Sequence, residues 1–159
     1  KVIILIRHTS NHLHTYHAHI SLHLLPHRYF VESAFTLVAQ IHSRKISKEA
    51  EGNNAVINDV MYYLNEGVYS NFLFLPLGPE YVTPQVLANK RSDLKFNSTI
   101  WGPTCDSTDI VCENIQLELL EIDDVLYFTN MGAYTIPLST HFNGFQTTKI
   151  TYFIHQDDW

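Results

Sequence analysis

This chain of 159 residues has only 2 cysteines, Cys105 and Cys112. Two thiols cannot build a disulfide framework, and they suit a reducing compartment, so a cytoplasmic protein is expected. Positive charge is scarce too. Lys and Arg total 10 against 16 Asp and Glu, and the net charge is −6 with histidine neutral. That balance argues against nucleic acid as a partner. No apolar run reaches the roughly 18 residues that a membrane helix needs. The opening stretch Val2-Ile-Ile-Leu-Ile6 stops at Arg7-His8, with no small-residue cleavage site behind it. Neither a spanning helix nor a signal peptide is expected. An initial Met is also lacking, which reads as a piece of a longer polypeptide. What is present is 45% hydrophobic and 16% charged residues. That composition is globular, and the length suits one domain with a real core.

Histidine is concentrated at one end. His8, His12, His14, His17, His19, His23 and His27 all fall in the opening stretch. Alternate imidazoles at His12-x-His14 and His17-x-His19 have strand spacing, and neutral imidazole ligates zinc, copper or nickel. No Cys, Asp or Glu lies near to complete a coordination sphere. We therefore expect no metal site and treat residues 1–25 as a His-rich segment, strand-like or disordered, apart from a domain over 26–159.

Apolar residues at Val31, Ala34, Phe35, Val38 and Ile41 follow the i, i+3, i+4, i+7 spacing of one helix face, which predicts a helix ending near His42. Arg44-Lys-Ile46 continues as a strand. The polar run from Ser47 to about Asp59 predicts a surface loop. Val60–Leu64, Phe96–Trp101, Asp109–Leu117, Val125–Phe128 and Lys149–Ile154 are rich in strand formers and predict strands. Asn65-Glu-Gly67 predicts a turn, and Glu118–Asp124 an exposed acidic one. Asn97-Ser-Thr99 matches a glycosylation sequon and, with no secretory signal, reads as a chance match.

Two loops of Gly, Pro and small polar residues interrupt these strands: Trp101-Gly-Pro-Thr-Cys-Asp106 and Asn130-Met-Gly-Ala-Tyr134. Loops of this composition position chemistry more often than they fill a core. By residue type alone, Cys105 reads as a small buried apolar side chain, Asp106 as a turn cap and Tyr134 as a core tyrosine. These two loops, with Ser33-Ala-Phe-Thr-Leu37, Met61-Tyr-Tyr-Leu-Asn-Glu-Gly-Val-Tyr69 and Phe142-Asn-Gly-Phe-Gln146, resemble the C-terminal part of eukaryotic ornithine decarboxylase. The blocks keep the order of that family, from about Arg28 to Phe153.

The resemblance implies a mainly β fold: an antiparallel, Greek-key-like β-barrel or sandwich with one N-terminal helix, as in the C-terminal domain of alanine-racemase-like pyridoxal phosphate decarboxylases. It implies that Cys105 helps to reprotonate the product and that Asp106 contacts the substrate amine in a partner subunit's site. It gives Arg28 and Tyr134 contacts to the cofactor phosphate, and gives Gly132 and Phe142 places at a dimer interface. There are departures. Leu25 stands where the family has the Glu that pairs with the pyridine nitrogen, and His27 where it has Gly. Leu77-Gly78 replaces the Tyr-Asp that reaches the distal amine of ornithine. The barrel with its Schiff-base lysine has no counterpart here, and Lys45 and Lys48 lie outside any motif. The chain alone is therefore expected not to decarboxylate anything. As a lineage, it reads as the rear half of an ornithine-to-putrescine decarboxylase that works as a homodimer or with a barrel-containing homologue. A non-catalytic regulator binding antizyme, like the antizyme inhibitor, and an inactive truncated product are the alternatives.

Overall fold

The computed structural model describes residues 4–6, 31–51, 54–77, 82–87 and 92–152. Its strands are β1 (Ile4–Ile6), β2 (Phe35–Glu51), β3 (Asn54–Leu64), β4 (Gln85–Val86), β5 (Phe96–Trp101), β6 (Ile110–Leu117) and β7 (Val125–Phe128). They form one sheet in the order β4-β7-β2-β3-β5-β6, with β1 pairing β2 off this path. Among the described residues, β3 and β5 pair in parallel and the other ladders are antiparallel. The domain is therefore mainly β and mostly antiparallel, as expected. The sheet also curls, so that the Cys112 thiol on β6 donates to the Val82 carbonyl, 3.3 Å away, just before β4. That contact lies where the two ends of the strand path approach each other.

The helix expected over 31–42 is not there. Among the described residues, the helical elements are 3-10 turns of 3 residues each, the first at Glu32–Ala34. From Phe35 the chain is the 17-residue strand β2. The same stretch carries a second pattern: Leu37, Ala39 and Ile41 alternate, and all have 0% exposure. Alternation puts them on one face of a strand. The ladders to β7 and β3, from Leu37↔Phe128 to Ile41↔Leu64, decide between the two periods. Tertiary pairing overrides a local helical spacing rich in the β-branched residues Thr36, Val38 and Ile41.

The surface loop expected over Ser47–Asp59 is also corrected. β2 and β3 run on as an antiparallel ribbon, paired down to Glu51↔Asn54. The register shifts between Ser47 and Lys48, which leaves Asn58 as an extra residue donating to Glu49 at 2.6 Å. At the other end of the chain, Lys149–Tyr152 belongs to no strand, so the expected closing strand is absent from the described residues.

The strands expected from their strand-former content at Val60–Leu64, Phe96–Trp101, Asp109–Leu117 and Val125–Phe128 do form. Val60, Tyr62 and Leu64 on β3, Ile100 on β5, and Leu126 and Phe128 on β7 have 0% exposure. They pack with Leu37, Ala39 and Ile41 around Phe72, whose ring meets Phe128 edge-on at 4.9 Å. Burying such side chains contributes about 2 kcal/mol each. The 118–124 connection, expected to be exposed, is stapled to this sheet. Leu120 is 1% exposed, and its N–H donates to the Tyr62 hydroxyl at 3.0 Å. Arg44 pairs with Glu121 at 2.7 Å. Asn97 sits in β5 between β3 and β6 and donates to Asp59 at 2.7 Å, so the sequon amide has a structural use. No helix of the described residues is long and apolar enough to cross a membrane.

Candidate functional site

The 102–109 loop between β5 and β6 is built around a buried carboxylate. Asp109 has 0% exposure. Its carboxylate accepts from the Val68 N–H at 2.7 Å, the Thr104 N–H at 3.0 Å and the Thr104 hydroxyl at 2.7 Å. Two glycines make room for it. A Cβ on Gly67 would lie 2.4 Å from Asp109 Oδ1, and one on Gly102 would lie 2.2 Å from it. The absence of a side chain at both positions is therefore a packing requirement. The backbone closes the same loop: the Gly102 N–H donates to the Asp109 carbonyl, and the Asp109 N–H donates to that of Asp106.

This clamp presents Cys105 and Asp106 outward. Cys105 is exposed, against the buried apolar role that residue type suggests. Asp106 Oδ1 accepts from the backbone N–H and the hydroxyl of Thr108, both at 2.8 Å, a local turn cap. Asp106 Oδ2 accepts from the Tyr69 hydroxyl at 2.5 Å. The Tyr69 hydrogen bond, followed by the two from Thr108, holds the Asp106 carboxyl below its usual range, and the same contact raises the Tyr69 phenol. Asp106 therefore keeps its negative charge throughout the physiological range while remaining open to solvent. Cys112 contrasts with Cys105: burial pushes its thiol up to about 12, and it is a structural residue of β6.

Phe142 joins this group. Its ring stacks on Tyr69 with centroids 4.2 Å apart, and the next residue, Asn143, donates its amide to Cys105 Sγ at 3.3 Å. A small cavity beside the loop is lined by Glu66, Tyr69, Thr104, Asp109, Phe142 and Phe145, among others, with no lysine or arginine among its lining residues. Glu66 is 4% exposed and accepts from Ser70 at 2.6 Å and Asn71 at 2.8 Å.

Cys105, Asp106 and Phe142 are thus brought together. Gly132 and Tyr134 lie on a different loop, the one that follows β7. The close approach at Gly132 is to this chain's own backbone, where a Cβ would lie 1.6 Å from the Val31 carbonyl oxygen. Tyr134 has φ +56° and is 37% exposed, not a core tyrosine. A non-glycine residue in the left-handed region signals a locally constrained loop. Leu77 is 71% exposed. Arg28, Leu25, His27, Gly78 and the histidines of the opening stretch lie outside the described residues.

Sequence reasoning gave no role to Tyr69, Asp109, Asn143 or Glu66. Tyr69 lies in a block used only as a resemblance. Asp109 carried one faint signal: a second Asp shortly after Cys105-Asp106, preceded by the glycines that box it.

A family model for the pyridoxal-dependent decarboxylase C-terminal sheet domain matches residues 28–132. Among curated proteins, ornithine decarboxylase 2 of Drosophila melanogaster is 37% identical over 80% of this chain and 32% of its own length. Antizyme inhibitor 2 of Xenopus laevis is 38% identical over 84% of this chain and 30% of its own. Among solved structures, the Paramecium bursaria Chlorella virus arginine decarboxylase bound to agmatine superposes with a TM-score of 0.70 at 31% identity, covering 79% of this chain and 32% of that one. The lysine/ornithine decarboxylase of Vibrio vulnificus complexed with cadaverine gives 0.68 at 30% identity, covering 80% and 32%. The chain spans about a third of the length of the curated relatives it matches.

Proposed function

This chain belongs to the pyridoxal-dependent decarboxylase family, matching its C-terminal sheet domain, and from that premise we propose that it supplies the substrate side of an amino-acid decarboxylase site completed by another domain. The observation that carries the reading is the 102–109 loop, which holds a charged Asp106 and an exposed Cys105 side by side on a buried Asp109 clamp. Asp106, with both oxygens oriented by Tyr69 and Thr108, binds the distal ammonium of a basic amino acid by a charge-assisted hydrogen bond. Ornithine, the precursor of putrescine, is the substrate assigned. Cys105 carries the proton at Sγ that the substrate carbon receives after losing its carboxylate.

Pyridoxal phosphate, when bound, supplies the electron sink for such a loss of carbon dioxide. The cavity beside the Cys105 loop does not suit its phosphate, because the lining holds the carboxylates of Glu66 and Asp109 and no cation. The donor set fits a substrate amine instead. Tyr134 and Arg28 are assigned to the phosphate, in an assembly whose barrel brings the lysine. Phe142, exposed beside Tyr69, and the loop of Gly132 are assigned to the contact with that partner subunit in a cytoplasmic homodimer.

The second reading is a non-catalytic regulator that binds antizyme. It is favoured by Leu77, whose exposed apolar side chain offers no charge to a diamine. Asp106→Asn separates the two readings. In an assembly of this chain with a barrel-containing ornithine decarboxylase subunit, steady-state kinetics is expected to show KM for ornithine rising about 10- to 100-fold, the worth of one hydrogen bond to a charged group. Antizyme capture with no decarboxylation in any assembly supports the regulator.

A further inference from the structure

We propose that Asn143 is a positioning residue for the Cys105 thiol, delivered to it by a strap over residues 139–150 that Glu66 holds in place. The strap has no strand partner, and residues 141–147 are all exposed, yet it is pinned at both ends. At the near end, the Thr140 N–H and hydroxyl both donate to the Tyr69 carbonyl at 2.9 Å. At the far end, the Thr148 hydroxyl donates to the buried Glu66 carboxylate and accepts from Asn71. Between the pins, Phe142 stacks on Tyr69 and Asn143 points its amide at Cys105 Sγ, 3.3 Å away.

The backbone is shaped for this delivery. Asn143 has φ +55° and Gly144 φ +77°, two successive left-handed residues that turn the amide back onto the 102–109 loop. Asn is among the few side-chain-bearing residues that occupy this region at low cost. A Cβ added at Gly144 would meet no atom within 4 Å, so the glycine serves the turn and not packing. Holding the strap accounts for the burial of Glu66. Its side chain is 4% exposed, has no basic partner in the cavity it lines, and spends its acceptors on Ser70, Asn71 and Thr148. An amide donor fixes the direction of the sulfur lone pairs, and so the direction in which the S–H proton points. The inference rests on the reading of Cys105 as the proton donor, but its test does not.

The test is alkylation of the folded chain by iodoacetamide at neutral pH, with the labelled cysteine located by mass spectrometry. Cys112 is buried and serves as the internal control. Asn143→Asp keeps the size and the backbone preference of asparagine but turns a donor into a carboxylate facing the reacting thiolate. One unit of charge at about 4 Å in water-like surroundings slows Cys105 labelling about fivefold. Thr148→Val, which releases the far pin, abolishes that slowing, and Thr148→Ser restores it. Equal labelling rates for Asn143→Asp and the parent chain, with circular dichroism unchanged, overturn the proposal. So does a slowing that persists undiminished in the Thr148→Val background. Slowing as expected, in a chain that shows no decarboxylation in any assembly, would leave the contact standing and count against the catalytic role of Cys105 alone.

Discussion

Asp109→Ala is expected to cost about 4 kcal/mol of folding stability, enough to lower the melting temperature of a chain this long by about 10 °C. The substitution removes a fully buried carboxylate and strands its donors: the Val68 N–H, the Thr104 N–H and the Thr104 hydroxyl. A buried donor left unpaired costs about 1–3 kcal/mol. Asp109→Asn keeps the shape and one acceptor oxygen but points an NH2 at donors, so it falls between parent and alanine. Asp109→Glu does not rescue, because the two glycines leave no length for another methylene. Thermal melts order the three variants. Amide exchange at Cys105 and Asp106 is expected to speed up with the loss of stability, since both stand on the clamp. An Asp109→Ala chain as stable as its parent contradicts the description of this loop.

Gly132→Ala is the second large effect. The 129–135 loop is sewn to the start of β2 by the Met131 N–H donating to the Phe35 carbonyl and the Gly132 N–H to that of Glu32, both at 3.0 Å. The new methyl would lie 1.6 Å from the Val31 carbonyl oxygen and 2.9 Å from the Phe35 ring. The first of these neighbours is backbone, so no side-chain rotation relieves the clash. The loop must retreat and give up both hydrogen bonds. Overpacking and two lost bonds together cost about 3 kcal/mol. Urea unfolding measures this as a lower midpoint with an unchanged slope. Because Met131 is 1% exposed, the displacement also reaches the core. Gly144→Ala is the control: its Cβ meets open space, so only the cost of its left-handed backbone remains.

The limits of the sequence reading have physical causes. Val60–Leu64 and Val125–Phe128 announced themselves as short apolar runs rich in strand formers. Phe35–Ile41 carried two periods at once, and the choice between them is made by β7 and β3, which no local window contains. The Ser47–Asp59 ribbon is mostly polar, with Val56 exposed and Ile57 packed at the edge of the core, so hydrophobic patterning had little to report; its strand pairing is seen only in the ladder that ends at Glu51↔Asn54. At the site, Cys105 and Asp106 were legible through the blocks shared with a family. Their supports were not, because each lies far off in sequence: Val68 is 41 residues from Asp109, Tyr69 is 37 from Asp106, and Thr148 is 82 from Glu66. Such contacts are products of the fold, and composition at either end does not disclose them.

The most direct measurement is release of labelled carbon dioxide from carboxyl-labelled ornithine, with pyridoxal phosphate present, by a barrel-containing ornithine decarboxylase subunit whose own Cys-Asp loop is disabled. Activity that appears on adding this chain, and disappears when the added chain carries Cys105→Ala together with Asp106→Asn, is the predicted result. A co-purifying assembly that releases no carbon dioxide, or one that releases it equally well with the doubly substituted chain, would contradict the account.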